Sequence, residues 1–184
     1  MNPKITIYIP SHNYGRYLEE AIESVLSQTD KNWELFLIDE GSTDNTLSIM
    51  ETYKNNSTHN IKIIKNKKAI GLRACANKVI KRAKGEYIIR LDADDFFDDN
   101  AFLVLSDYLD KNPGIALVYP NYFFIDSNGK ILAVEKHKKI RNQTKLLDMP
   151  AHGACALVRT KIIKEIGGYN TAFDAQDGHE LWLK

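Results

Sequence analysis

Ile5, Ile7 and Ile9 alternate with Thr6 and Tyr8 until Pro10 interrupts the run, the period-two pattern of a short strand. Leu18, Ala21, Ile22, Val25 and Leu26 then recur at i, i+3, i+4, i+7 and i+8, which predicts an amphipathic helix. A second apolar strand is expected at 33–38, ending in Asp39-Glu40-Gly41-Ser42, with Ser42 or Thr43 capping a helix that carries Leu47, Met50 and Tyr53. Residues 61–64 read as a third strand, and Gly71 precedes a helix with Leu72, Ala76, Val79, Ile80 and Ala83 on one face, closed by Gly85. A fourth strand at 87–91 is followed by a helix marked by Phe102, Leu105, Tyr108 and Leu109. Strand-then-helix units in succession predict a parallel sheet with helices on both faces.

The rhythm changes after Pro113. A strand is expected at 115–119, and the β-prone runs 122–125 and 131–134 flank Asp126-Ser127-Asn128-Gly129, where Asn-Gly signals a hairpin. Another strand is expected at 154–158, followed by a short helix capped by Thr160 and ended by Gly167-Gly168. The 184 residues suggest one domain, with an α/β front half (1–112) and a β-rich back half (113–184). Glu180-Leu181-Trp182-Leu183-Lys184 reads as an amphipathic helix just beginning, so the chain is expected to be the front part of a longer protein.

Composition narrows the function classes. A net charge of +1 makes no broad electrostatic case for nucleic acid or an anionic membrane. The basic clusters Lys62, Lys65, Lys67, Lys68 and Lys136, Lys138, Lys139, Arg141 read as solvated faces. Cys75 and Cys155 match no metal spacing and read as buried free thiols of a reducing compartment. Met1-Asn2-Pro3-Lys4 runs straight into a strand without the pattern of a signal peptide, and no apolar run has the length of a membrane span. A cytoplasmic protein is expected, attached at most peripherally to the inner face of the membrane.

The chemistry gathers at strand ends. The run Tyr87-Ile88-Ile89-Arg90-Leu91 stops in Asp92-Ala93-Asp94-Asp95, and carboxylates at i and i+2 repel unless a cation or a donor-rich ligand lies between them. Hard oxygen ligands suit Mg²⁺ or Mn²⁺, which bind through one or two carboxylates plus substrate phosphates. The plain alternative is that Asp94 and Asp95 cap the next helix. Two more polar clusters, Pro10-Ser11-His12-Asn13 and Asp39-Glu40-Gly41-Ser42, follow the first and second strands. In open α/β sheets ligands bind beyond the carboxyl ends of the strands, so all three clusters should meet on one edge.

Several segments together resemble family 2 glycosyltransferases. They are Ile9-Pro10-Ser11-His12-Asn13, the helix end Ser24-Val25-Leu26-Ser27-Gln28-Thr29, Leu37-Ile38-Asp39-Glu40-Gly41-Ser42-Thr43-Asp44, and Gly71-Leu72-Arg73-Ala74-Cys75-Ala76-Asn77. Gly85-Glu86-Tyr87 leading to Asp92-Ala93-Asp94-Asp95, and Gln176-Asp177-Gly178-His179-Glu180-Leu181-Trp182, complete the set. The resemblance covers nearly the whole chain in order. It implies a GT-A fold, a Rossmann-like α/β architecture with a mostly parallel central sheet flanked by helices and a hairpin-containing, acceptor-side back half. It also implies a nucleotide-sugar donor, a divalent Mn²⁺ or Mg²⁺ ion, and inversion at the anomeric carbon; no nucleic acid partner is expected from the near-neutral charge.

The resemblance assigns roles residue by residue. Pro10, Ser11, His12 and Asn13 would line the base pocket, with His12 where the family often has a stacking Tyr; otherwise His12 is a turn residue. Asp39 and Glu40 stand where the family usually shows two aspartates, one of which hydrogen-bonds the base, so Glu40 is a departure; alternatively the pair are ordinary acids at a helix N-terminus. Arg73 would approach the diphosphate, or lie on the polar surface, with Asn77 either supporting it or facing solvent. Asp92, with Ala93 beside it, would face the ribose and the metal's water shell, and Asp94 would ligate the metal. Asp177 would be the general base, with Glu180 its rival and a helix cap the plain alternative; His152 would line the sugar pocket or be structural. The function so implied is transfer of a sugar, from UDP by expectation, to a saccharide or lipid-linked acceptor in cell-surface polysaccharide synthesis. The rivals are sugar nucleotidyl transfer, against which stands the lack of a Gly-rich, basic turn after the first strand, and a non-catalytic nucleotide-sugar-binding module.

Overall fold

The computed structural model describes residues 2–126, 128–136 and 153–172. In chain order the elements are β1 (Ile5–Ser11), α1 (Gly15–Leu26), β2 (Trp33–Asp39), α2 (Thr46–Asn56), β3 (Ile61–Lys65), α3 (Leu72–Arg82) and β4 (Tyr87–Arg90). They continue with α4 (Ala101–Lys111), β5 (Leu117–Val118), β6 (Tyr122–Ile125), β7 (Ile131–Glu135), β8 (Leu157–Arg159) and α5 (Thr160–Glu165). A six-stranded sheet has the order β3-β2-β1-β4-β8-β5, and β6-β7 form a separate antiparallel ribbon. β1 to β4 are parallel as their alternation with helices predicts.

Period-two alternation sorts the core onto both faces of the sheet. Ile5, Ile7, Ile9, Leu35, Leu37 and Ile89 turn one way, toward Leu18, Ile22 and Val25 of α1, Met50 of α2 and Phe102 and Leu109 of α4. Tyr8, Phe36, Ile38 and Ile88 turn the other way, toward Cys75, Val79 and Ile80 of α3 and Ile163 of α5. Among the described residues no helix is long and apolar enough to cross a membrane.

Several boundaries differ from those the sequence predicts. The 115–119 strand contracts to β5, and the 154–158 strand becomes β8, inserted antiparallel between β4 and β5. Periodicity shows that a strand exists but not where it is inserted, because pairing is a long-range choice. α2 starts at Thr46, after the turn that contains Ser42 and Thr43, so neither caps it. Thr160 is the first residue of α5 rather than its cap. Gly85 lies beyond the end of α3, where its N–H donates to Thr6 Oγ1 at 2.9 Å. A Cβ there would stand 2.5 Å from the Thr6 backbone nitrogen, so only glycine lets this link lie flat on β1. The Asn128-Gly129 hairpin is present: Asp126 Oδ1 accepts the Asn128 and Lys130 N–H groups, and Gly129 has φ 77°.

Candidate active site

Parallel pairing puts the carboxyl ends of β1, β2 and β4 on one edge. Ser11 is in register with Asp39, and Tyr8 with Arg90. Strand order reverses direction between β1 and β4, the switch point at which a crevice opens in such sheets.

The first two strand-end turns are bound to each other. Asn13 adopts φ 59°, its N–H donates to Ser42 Oγ at 3.0 Å, and its Oδ1 accepts the Thr43 N–H at 2.8 Å. Asp44 accepts the Gly15 N–H at 3.1 Å and the Thr46 N–H at 3.0 Å, so one carboxylate serves the starts of both α1 and α2. The Thr46 hydrogen bonds lead in holding the Asp44 carboxyl below its usual range. His12 is exposed, and its Nδ1 lies 3.1 Å from the Glu40 carbonyl oxygen. That oxygen can only accept, so Nδ1 is the donor in this contact. The Ser11 hydroxyl beneath is buried with no hydrogen-bond partner among the described residues. Pro10, at the end of β1, completes this turn.

Asp39 and Glu40 are both buried but stand in different surroundings. Asp39 Oδ1 accepts the Ser42 N–H at 3.0 Å. Glu40 has its carboxylate filled by the protein: Oε1 accepts from Asn66 Nδ2 and Cys75 Sγ, and Oε2 from the backbone N–H groups of Ile70 at 3.0 Å and Gly71 at 2.9 Å. Burial works to raise the Glu40 carboxyl, but the Cys75, Asn66, Ile70 and Gly71 donors outweigh it and hold it below its usual range. Its partners leave no lone pair aimed at a base. Glu40 is the acid at the N-terminus of α3, not of α2, and it anchors the 66–71 loop. Sequence reasoning set Glu40 against the base; its hydrogen bonds in the structure go instead to a loop that lies a long way along the chain. Cys75, its thiol pushed up to about 12 by burial and then by Glu40, stays protonated and donates.

Arg73 sits in the first turn of α3, half-buried, with Nη1 3.5 Å from the Asn170 carbonyl oxygen. Asn77 does not face solvent: its Nδ2 donates to the Tyr169 carbonyl at 2.8 Å, and its Oδ1 accepts the Tyr169 N–H at 2.9 Å. This two-way bond docks the turn after α5 onto α3.

The acid motif follows β4. Arg90 is 3% exposed, and its Nε lies 2.8 Å from Asp92 Oδ1, off the line of its N–H, while Nη2 donates to Oδ2 at 3.3 Å. This guanidinium orients the Asp92 carboxylate and compensates its charge. Ala93 is buried and turns the chain, so that Asp94 emerges exposed with no protein hydrogen bond among the described residues. The capping alternative fails, since α4 starts at Ala101 and its first turn is held by Asp98 and Asn100. Cys155, in a left-handed conformation (φ 59°), donates its N–H to the Arg90 carbonyl at 2.8 Å. Its thiol is pushed up to about 12 by burial and then by Asp95 and Asp92, which places it beside the acids as an inert group.

Among the described residues no three metal-ligating side chains converge. One open carboxylate next to a clamped one nevertheless fits a hard cation that takes most of its ligands from water and phosphate. His152, Asp177 and Glu180 lie outside the described residues. Sequence reasoning left Arg90, Asp44 and Asn66 without a role. For Arg90 the signal was available: a charged residue inside an apolar strand, directly before acids.

A family model, Glycosyl transferase family 2, matches residues 6–167. The chain belongs to glycosyl transferase family 2. Within this family it is 31% identical over 183 residues to the UDP-Glc:alpha-D-GlcNAc-diphosphoundecaprenol beta-1,3-glucosyltransferase WfgD of Escherichia coli, covering 97% of this chain and 68% of WfgD. It is 28% identical over 182 residues to an Escherichia coli chondroitin synthase, covering 99% of this chain but 26% of that protein. Among solved structures it superposes with TM-score 0.74 on the mannosyltransferase PcManGT of Pyrobaculum calidifontis in complex with GDP-Man and Mn²⁺. That likeness has 18% identity and covers 98% of this chain and 51% of the other, and it shows the GT-A fold. The chain thus spans about a quarter of the chondroitin synthase and two thirds of WfgD.

Proposed function

We propose that this chain binds a nucleoside-diphosphate sugar, with UDP as the nucleotide, and transfers the sugar with inversion to a saccharide or lipid-linked acceptor in cell-surface polysaccharide synthesis. The observation that carries the reading is the pairing of an exposed Asp94, without a hydrogen-bond partner among the described residues, with an Asp92 compensated by buried Arg90, beside the β1–β4 crevice. Two free carboxylates two residues apart would repel. Here one is compensated from within, and the other would hold a divalent cation that would supply positive charge to a diphosphate. The family membership supports sugar transfer, the UDP-Glc in the name of WfgD supports the nucleotide, and the Mn²⁺ bound by PcManGT supports the divalent ion.

In this reading the nucleoside lies over the β1 and β2 ends, where the Ser42 N–H occupies one Asp39 oxygen and leaves the other for it, with the buried Ser11 hydroxyl beneath. Arg73 and the start of α3 attract the diphosphate. Mn²⁺ or Mg²⁺ at Asp94 would supply neutralisation of the charge that builds on the departing nucleotide. Asp177 would take the proton from the attacking acceptor hydroxyl as the new bond forms on the face opposite the leaving group.

The test is thermal unfolding with UDP in Mn²⁺ and in EDTA, since a ligand that binds only the folded state raises its stability by mass action. UDP should stabilise the protein more with Mn²⁺, and Asp94→Ala should remove most of that difference while leaving the ligand-free melting temperature in place. Equal stabilisation by UDP in EDTA would refute the metal role of Asp94.

A further inference from the structure

The β6–β7 ribbon leaves its aromatic residues open on a surface where a folded domain usually hides them. Tyr122 is 36% exposed, Phe124 50% and Phe123 59%. Alternation puts Tyr122 and Phe124 on one face and Phe123 on the other. On the first face the two rings meet edge to face, with centroids 5.3 Å apart at 73°. Phe124 is paired across the ribbon with Ala133, whose methyl leaves the ring uncovered, and Tyr122 with Glu135, a hydrogen-bond acceptor. The other face carries Phe123 and Val134 with no polar group between them.

This first face has a defined place relative to the acids. β5 runs parallel to β4, because β8 is antiparallel to both, so the chain leaves β5 for the ribbon on the edge that bears Asp92 to Asp95. The Tyr122 phenol is held above its usual value by burial, then by Glu135 and Asp95, which puts its hydroxyl end within electrostatic reach of the acid motif. The sheet order sets the ribbon's side as well. β1 and β2, which carry the nucleoside pocket, lie on one side of β4, and β8 and β5 lie on the other.

We infer that the Tyr122–Phe124 face is a binding platform for the acceptor saccharide, next to the acids and on the side away from the nucleotide. The inference deepens the glycosyltransferase reading and rests on it. A pyranose ring presents a face of C–H groups whose positive hydrogens suit the negative face of an aromatic ring, while its hydroxyls need acceptors at the rim. Two open aromatic rings flanked by the Glu135 carboxylate supply both requirements. The apolar opposite face supplies only the first.

The experiment titrates the chain with methyl β-D-glucopyranoside, methyl N-acetyl-β-D-glucosaminide and N,N′-diacetylchitobiose, following binding by ligand-observed NMR with and without UDP and Mn²⁺. At least one saccharide should bind the wild type, and Tyr122→Ala and Phe124→Ala should each weaken it by about 5-fold or more, in line with the worth of an aromatic contact. Phe124→Trp should retain binding, which a general disturbance of the ribbon would not allow. Phe123→Ala, on the opposite face, should leave the saccharide affinity unchanged, and all four variants should keep the UDP-induced stabilisation. Unchanged binding in Phe124→Ala, an equal loss in Phe123→Ala, or no saccharide binding by a wild type that binds UDP overturns the platform. Failure of the wild type to bind UDP overturns the glycosyltransferase reading instead.

Discussion

Replacing Glu40 by Gln keeps its size and tests whether this acid supports the pocket or contacts the base. Its two oxygens accept from Asn66 and Cys75 on one side and from the Ile70 and Gly71 N–H groups on the other. The amide oxygen of Gln can keep one side only. If it holds Ile70 and Gly71, its NH₂ faces the Asn66 NH₂, and Asn66 is not free to turn because its Oδ1 accepts from Lys78. A buried donor left without an acceptor costs about 1–3 kcal/mol, and the lost charge assistance at the remaining bonds adds to it, so Glu40→Gln should destabilise by about 2–4 kcal/mol. Urea unfolding at pH 7, followed by tryptophan fluorescence, measures this directly. The acid limb gives an independent check. The native Glu40 carboxyl lies below the ordinary value of 4.5, so its contribution is complete above that pH and is lost as pH falls through the lowered native value. The gap between wild type and variant should therefore narrow in acid. Binding is the third readout: loosening the 66–71 loop should weaken UDP and GDP by the same factor, because the Glu40 carboxylate is occupied by Asn66, Cys75, Ile70 and Gly71. A loss under about 0.5 kcal/mol at pH 7, or a selective loss of one nucleotide, would refute the anchoring role.

Gly85→Ala should destabilise by about 3 kcal/mol, the upper part of the usual overpacking range, because the new methyl would lie 2.5 Å from the Thr6 nitrogen and 2.7 Å from the Ile5 carbonyl carbon, both backbone atoms; a melting temperature equal to that of the wild type would show that the link can shift freely. Asp177→Asn should leave donor affinity within a few-fold and lower turnover by roughly 10²–10⁴, the worth of a positioned general base. Glu180→Gln should cost much less, and the reverse outcome in a nucleotide-release assay would move the base to Glu180.

Periodicity alone marked the strands and helices of the front half, since alternation and the 3.6-residue repeat report burial over a few residues of chain. It also brought the polar clusters after Ile9, Ile38 and Leu91 together, because successive parallel strands bring their carboxyl ends to one edge. The motifs named the family for the same reason: they are local strings. What the string could not show was which partner each polar group takes. Glu40 was read against the helix that follows it, yet its donors come from Asn66, Ile70, Gly71 and Cys75, up to 35 residues away. Asn77 could have faced solvent, but it meets Tyr169, 92 residues on. Arg90 became the counterion of Asp92 only because burial leaves a guanidinium no partner in water. The insertion of β8 between β4 and β5 was likewise settled by packing. Hydrogen-bond satisfaction and strand pairing are decided between elements distant in sequence, and only the assembled fold brings those elements within reach.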